Sequence, residues 1–308
     1  MGEVIESGQI ICGKLDMITK IAGSDKNVLI LGETGTGKEL TAKMIHELSA
    51  RKDKAFLAVN CANIPEDLFE AELFGYLKGS FTGAYRERKG LLEASREGSV
   101  FLDEIGELPG YMQAKMLRLI DRGEIRRIGE NVTRKIEVRF IFATNRNLHE
   151  EARQGRFRFD LYFRISSVKI CLTPLRERKE DIPRLARYFI DKENQRQNQV
   201  KKIAPEAMKK LERYFYPGNI RELQNIIERG YVLSEGDTIQ ADDIQLDEES
   251  MAIAPDRNPS KEDLSRVLQN CHWNKTKAAV ELGKSRRQLY RLLEKYRLGN
   301  CIRRVALL

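Results

Sequence analysis

Residues 28–43 read VLILGETGTGKELTAK, and this stretch decides the fold. Val28-Leu29-Ile30-Leu31 is a short apolar run of the kind that forms a buried strand. Gly32, Gly35 and Gly37 then punctuate a tight loop. From Lys38 onward Leu40, Met44, Ile45 and Leu48 fall near helical spacing. Strand, glycine loop, lysine and helix are the parts of a nucleotide-phosphate cradle. Glycines let backbone N–H groups turn toward phosphate oxygens, the helix N-terminus adds positive potential, and Lys38 offers a point charge to the β/γ-phosphates. The pattern G-x-x-x-x-G-K-[ST] is met except at its last position. There Glu39 stands where a Ser/Thr would help to hold Mg²⁺.

Working outward, 308 residues can bury a sizeable core and predict two or three domains. With 41% hydrophobic and 32% charged residues, the composition is that of a charged soluble protein. No apolar run approaches the roughly 20 residues of a membrane span. The N-terminus, MGEVIESGQI, lacks a basic-then-apolar signal, and Glu6 sits where myristoylation expects Ser/Thr. The cysteines at 12, 61, 171, 271 and 301 are odd in number, widely spaced and without C-x-x-C. They point to a reducing, cytoplasmic setting rather than a disulfide frame or zinc site. His46, His149 and His272 are equally scattered.

The net charge of +8 is local. Residues 259–308 carry 12 Lys/Arg against 4 Asp/Glu, so the whole positive excess lies in the last fifty residues, the footprint of a nucleic-acid-binding end.

In chain order, residues 1–27 read as a short lead-in. Phe56–Asn60 is a second strand. From Glu66 a helical pattern runs through Leu68, Phe69, Leu73 and Phe74 and breaks at Gly75. Gly79-Ser80-Phe81-Thr82-Gly83-Ala84 then predicts a protruding flexible loop around an exposed Phe-Thr pair. Ser99–Glu104 is a strand ending in the carboxylates Asp103 and Glu104. One can serve a metal and the other can polarise an attacking water. A helix with Met112, Met116, Leu117, Leu119 and Ile120 follows, then a hairpin over Glu124–Val138 turning at Gly129-Glu130-Asn131. Val138–Asn145 is a further buried strand whose last residues, Thr144 and Asn145, are placed to sense a γ-phosphate. Arg158 and Arg164 lie in RFRFDLYFR and are either surface charges or fingers reaching a neighbour's nucleotide.

After Pro174 helices are predicted over 180–198, 205–214 and 218–233. Arg221 lies in the first turn of the last, where the dipole disfavours a cation unless it faces a ligand. Residues 242–258 are acidic, with Pro255, and read as a linker. Beyond it come helices over Asp263–Cys271, Lys275–Leu282 and Arg286–Tyr296, the last two about a turn at Gly283. Ala278, Ala279, Leu282, Leu289 and Leu292 would pack the pair, a helix-turn-helix.

These motifs together resemble the bacterial enhancer-binding proteins, the AAA+ activators of sigma-54 RNA polymerase. The resemblance covers residues 10–298 and rests on GETGTGKE (32–39), GSFTGA (79–84), GSVFLDE (98–104), ATN (143–145), FRFDLYFR (157–164) and GNIREL (218–223). The end, NKTKAAVELGKSRRQLYRLLEKYRL, resembles a Fis-type helix-turn-helix. The fold implied is an AAA+ P-loop α/β/α domain over 1–172, a helical lid over 173–241, a linker over 242–258 and an all-α DNA-binding domain over 259–308.

The resemblance implies an ATP and Mg²⁺ site from Gly32, Glu33, Thr34, Gly35, Thr36, Gly37, Lys38 and Glu39, with Asp103 for Mg²⁺ and Glu104 for the hydrolytic water. It gives Asn60 the restraint of Glu104, Thr144 and Asn145 the first sensor, Arg221 the second, and Arg158 and Arg164 the trans-acting fingers. Gly79, Ser80, Phe81, Thr82, Gly83 and Ala84 become the sigma-54 contact. Lys275, Thr276, Lys284, Ser285, Arg286, Arg287, Gln288, Tyr290 and Arg291 become the enhancer-DNA contact. A hexameric or heptameric homo-oligomeric ring is implied, with no membrane partner.

Two departures stand out. Ser80 replaces the usual alanine of GAFTGA, and the segment before the first strand is short. No receiver or GAF domain is seen, so control is expected from a separate regulatory protein, from expression level or from a domain cut away. A DNA-binding regulator of another polymerase form, or a DNA motor, would share the ATP site. Phe81 and Thr82 between their glycines favour the sigma-54 reading.

Overall fold

The computed structural model describes residues 15–247 and 261–271, with individual positions beyond these as far as Leu298. The chain divides into two units, residues 1–246 and 247–308.

The first unit opens with α1 (Leu15–Ala22), β1 (Val28–Leu31), α2 (Lys38–Glu47), β2 (Phe56–Asn60) and α3 (Glu66–Phe74). β3 (Gly75–Tyr76) pairs antiparallel with β4 (Arg88–Lys89), and α4 (Leu91–Ala94) leads to β5 (Ser99–Asp103) and α5 (Gly110–Arg122). β6 (Glu124–Ile125) and β7 (Arg134–Lys135) form the expected hairpin. β8 (Arg139–Thr144), α6 (Leu148–Arg153), α7 (Phe159–Ile165) and β9 (Val168–Cys171) follow. Five strands make one parallel sheet in the order β2-β5-β8-β1-β9.

Strand alternation explains why both sheet faces are covered. Val28, Ile30, Phe101, Ile141 and Ala143 join the cluster holding Ile18 of α1 and Ala42, Met44 and Ile45 of α2. Their neighbours Leu29, Val100, Leu102, Phe140 and Phe142 point the other way, into the cluster of Phe69, Met112, Met116, Leu148 and Leu161. Strands buried on both faces read as continuous apolar runs, which is how they stood out in the sequence. The layers are therefore helix, sheet, helix.

The rest of this unit is helical: α8 (Ile182–Gln197), β10 (Lys202–Ile203), α9 (Pro205–Arg213), α10 (Asn219–Leu233) and β11 (Thr238–Ile239), with β10 and β11 paired in parallel. α10 packs on α8. Gly230 lets Ile244, fully buried, approach α10 closely, so packing continues to the end of this unit.

Among the described residues of the second unit, α11 spans Lys261–Asn270. Leu264, Leu268, Cys271, Ala278, Ala279, Leu289, Leu292 and Leu293 form its core, with Leu282 packed against it.

Three boundaries differ from the sequence expectation. Leu15, Ile18 and Ala22 lie at helical spacing, so the lead-in contains a helix that anchors to the sheet. The strand before Glu104 stops at Asp103, because Glu104 turns to φ 51°. The strand expected over 138–145 is confined to Arg139–Thr144.

Among the described residues Arg139 is the largest side chain sealed in the interior, 1% exposed. Its guanidinium donates to the carbonyls of Ala22 (3.0 Å), Ile21 (2.9 Å) and Lys26 (3.4 Å), serving the open carbonyl end of α1. Burial pulls its pKa down, with the Asp25 carboxylate opposing the shift and the Arg51 guanidinium adding to it. Arg139→Met should destabilise the protein by roughly 2–4 kcal/mol, because it leaves buried carbonyls unpaired. Urea unfolding followed by circular dichroism measures this, and a loss near zero would show that the carbonyls find other partners.

Candidate functional site

Parallel register brings the motif residues to one edge. Leu31 lies opposite Thr144 and Cys171, and Asn60 opposite Asp103, so the phosphate loop and three polar strand ends leave the same side of the sheet. Thr34, Gly35, Gly37, Lys38, Glu39, Asn60, Asp103, Glu104 and Arg221 line one cleft of about 440 Å³. Gly37, φ 95°, precedes α2 in this cleft and offers no side-chain cap to its first N–H groups. Such an end is suited to an anion.

Lys38 is 6% exposed. Its ammonium donates to the carbonyls of Gly32 (3.2 Å) and Glu33 (3.5 Å) and lies 3.4 Å from the Glu104 carboxylate. Glu104 holds a left-handed backbone that costs a non-glycine residue energy. Two contacts fix it there: its backbone N–H donates to Asp103 Oδ1 (2.9 Å), and its Oε2 accepts from the N–H of Asn145 (3.2 Å). Asn145 Nδ2 reaches Thr34 Oγ1 at 3.3 Å, so one residue touches both the phosphate loop and the strained carboxylate. Asp103 is half-buried, and burial lifts its carboxyl pKa above the usual range against the pull of Lys38. Beside it, burial and the two carboxylates push the Cys61 thiol up to about 12.

Several motif residues are engaged differently from the expectation. Asn60 does not hold Glu104: its Oδ1 accepts from the N–H of Ala62 (2.9 Å) and caps the 3-10 turn Cys61–Asn63. Thr36 is buried and spends its hydroxyl on the Glu33 carbonyl (2.7 Å). Thr144 is buried, with Oγ1 accepting from the N–H of Arg146 (3.1 Å). Glu33 turns its carboxylate away from the cleft toward Arg176 and Asn219. Those two partners escaped the sequence reading, although Arg176 in PLRER and Asn219 in GNIREL sit at the starts of lid elements, where a cross-domain contact is natural.

The lid meets the loop through backbone. Ile220 N–H donates to Gly35 O at 3.0 Å, and a Cβ on Gly35 would stand 2.1 Å from Gly218 O. Arg158 pairs with Asp160 (2.7 Å) and Arg164 with Asp121 (2.5 Å). Both arginines are half-exposed and outside their own chain's cleft.

The 79–84 segment is tied at its base and exposed at its tip, as expected of a protruding loop. Gly79 N–H donates to Ala84 O (2.8 Å), and Ser80 Oγ donates to Leu77 O (2.8 Å). Phe81 is 40% exposed and stacks edge-on against Tyr76 at 4.9 Å, while Ser80 lies over Gly129 of the β6–β7 hairpin. Thr82 sits beside Gly83 at the exposed tip.

In the second unit Lys275 Nζ lies 4.9 Å over the Tyr290 ring. Thr276, Lys284, Ser285, Arg286, Arg287, Gln288 and Arg291 lie outside the described residues, as does most of the expected linker.

A strand–loop–helix phosphate cradle beneath a helical lid, with paired carboxylates on the neighbouring strand, defines an AAA+ nucleotide-binding module. Family models agree. Residues 4–171 match the sigma-54 interaction domain, 176–263 the AAA+ ATPase lid domain, and 260–296 the bacterial regulatory protein, Fis family. The chain therefore belongs to the sigma-54 interaction domain family of transcriptional activators. It is 43% identical over 290 residues to the Nif-specific regulatory protein of Azotobacter vinelandii, covering 90% of this chain and 56% of that one. It is 44% identical over 295 residues to the regulatory protein AtoC of Escherichia coli (strain K12), covering 90% and 64%. The crystal structure of NtrX from Brucella abortus in complex with ADP superposes with TM-score 0.69 at 31% identity, covering 91% of this chain and 66% of that one. The chain thus spans between about half and two thirds of these relatives' lengths.

Gly35 and Gly79 share a left-handed backbone, φ 79° and 80°, but only Gly35 is crowded, since nothing lies within 4 Å of a Cβ on Gly79. Gly79→Ala should cost about 1–2 kcal/mol, the price of the conformation. Gly35→Ala should cost roughly 1–3 kcal/mol more, because loop and lid must separate. Equal unfolding midpoints for the two variants would contradict this packing.

Proposed function

We propose that this chain is an ATP-driven activator of sigma-54 RNA polymerase, binding enhancer DNA through residues 259–308 and remodelling the closed promoter complex. The observation that carries the ATPase reading is the setting of Glu104. A strained carboxylate is held between Lys38 and the Asn145 N–H, beside an uncapped helix start.

In this reading the loop Gly32–Gly37 and the N-terminus of α2 bind the phosphates through backbone N–H groups, with Lys38 on the β/γ-phosphates. Mg²⁺ binds through one or two carboxylates and completes its shell with phosphate and water. The half-buried carboxylate of Asp103 beside Lys38 suits that demand, and Glu39 lines the same cleft. When bound, Mg²⁺ neutralises charge on the transferring phosphate. Glu104 then accepts the proton of the attacking water. Asn145, touching both Thr34 and Glu104, reports the γ-phosphate to the carboxylate, and Arg221 contacts the nucleotide from the lid. Asn60 keeps its place at the end of β2 as a polar neighbour of the reaction.

Arg158 and Arg164 act on the nucleotide of an adjacent copy, because both are half-exposed and neither lines its own cleft. Exposed Phe159 and Phe163 beside them extend an aromatic surface for that copy, with Phe159 edge-on to His149. The chain works as a hexameric or heptameric ring. Phe81 and Thr82 contact sigma-54, and Ser80 stiffens the loop through its bond to Leu77. Lys275, Tyr290 and the basic residues around them contact DNA phosphates and base edges.

Two variants separate chemistry from coupling. Glu104→Gln should bind ATP while slowing hydrolysis by about 10²–10⁴-fold, the usual contribution of general acid–base catalysis. Near-normal turnover would remove Glu104 from the mechanism. Thr82→Ala should keep ATP hydrolysis within about threefold of wild type and lose open-complex formation at a sigma-54 promoter, since the loop tip holds no nucleotide-binding group. Full activation by Thr82→Ala would contradict the coupling role.

A further inference from the structure

Glu33 sits in the phosphate loop, yet its carboxylate binds no part of the cleft. Arg176, just after β9 on the way into the lid, grips it with both guanidinium nitrogens, Nη1 at 2.6 Å and Nη2 on the other oxygen. The Arg176 guanidinium is itself stacked 5.3 Å from the Phe215 ring. Asn219, the first residue of α10, completes the cluster. Its Nδ2 donates to Glu33 Oε2 (3.2 Å) and to Thr34 O (3.0 Å), and its Oδ1 accepts from the N–H of Leu175 (2.8 Å).

A half-exposed ion pair alone is worth little, so the energetic weight lies with Asn219. It is 0% exposed and holds φ 55°, as does Tyr216 three residues earlier. Two non-glycine residues in the left-handed region within one short turn persist only when their surroundings over-determine them. Glu222 supplies part of that restraint, accepting from the N–H of Gly218 (2.7 Å) and the Tyr214 hydroxyl (2.7 Å). Loop 32–35 supplies the rest. The Arg176 guanidinium, followed by Asn219, holds the Glu33 carboxyl below the usual range despite partial burial, so the tie is ionised at neutral pH.

We propose that Glu33, Arg176 and Asn219 form a tie that makes the phosphate-binding shape of loop 32–37 and the docking of the lid a single cooperative event. Glu33 is then a positioning residue rather than a ligand, and the tie is a second path from nucleotide to lid, independent of Arg221. By reciprocity, a nucleotide that orders the loop strengthens lid docking by the same factor that lid docking strengthens its binding. The proposal rests on the ATP site argued above.

The test is a double-mutant cycle on binding of a non-hydrolysable ATP analogue with Mg²⁺ by calorimetry, using Glu33→Gln, Glu33→Ala, Arg176→Ala and the Glu33→Ala/Arg176→Ala pair. Each alanine variant should weaken binding by about 5- to 30-fold, as for loss of a charge-assisted bond. The pair should be no weaker than its worse single member. Glu33→Gln, which keeps shape and the Asn219 contact, should fall between wild type and Glu33→Ala and guards against a folding defect. In wild type the analogue should slow amide hydrogen exchange at Ile220, and Glu33→Ala should abolish that slowing. Unchanged affinity in the singles, or multiplied losses in the pair, overturns the tie. Failure of wild type to bind the analogue overturns the ATP site itself.

Discussion

Everything in the first unit is arranged around a backbone contact that admits no side chain, the carbonyl of Gly35 against the start of α10. A hydrogen bond of ordinary length joins Gly35 O to Ile220 N–H, and the close approach depends on Gly35 carrying no Cβ, which would stand 2.1 Å from Gly218 O. The sheet fixes one end of the phosphate loop through β1, α2 fixes the other, and the lid closes on its crest. A ligand that reshapes the loop must therefore be felt in the lid.

The same economy governs the chemistry. Parallel strands end together, so residues far apart in sequence become neighbours without special loops. Asp103, Asn60 and Thr144 gain their positions from register alone. Glu104 is the exception, since it leaves the strand in a left-handed conformation and is held by Asp103, Lys38 and Asn145. Strain at such a position persists because the surrounding fold over-determines it. It also places the carboxylate where movement of Asn145 or Lys38 would alter its aim.

Much of this was legible in the residues. The runs at 28–31, 99–103 and 139–144 are apolar because both faces of a central parallel sheet are covered, and the glycine-lysine loop announces its phosphate role. Helices after Pro174 followed from the change in composition there. What escaped had physical reasons. Helix 15–22 is short, and its anchor, Arg139, reads in sequence as one more surface charge at a strand start. Arg176 and Asn219 act across more than 140 residues, and no local pattern marks a side chain that reaches so far. The restraint expected of Asn60 was inferred from resemblance, while the side chain satisfies the nearer N–H of Ala62. The loop at 79–84 keeps the exposed tip its composition suggested, but the hydrogen bond that ties Gly79 to Ala84 at its base has no sequence signature.

The cleft carries phosphate-binding groups, and the half-exposed Arg158 and Arg164 do not line it; in the proposed function a neighbouring copy supplies them. The most direct measurement is ATP turnover per chain as a function of protein concentration, with mass determined by light scattering on the same samples. The account predicts turnover that rises as rings assemble, and partial recovery when Arg164→Ala and Glu104→Gln chains, each inactive alone, are mixed. Constant turnover from a species shown to be monomeric would contradict it.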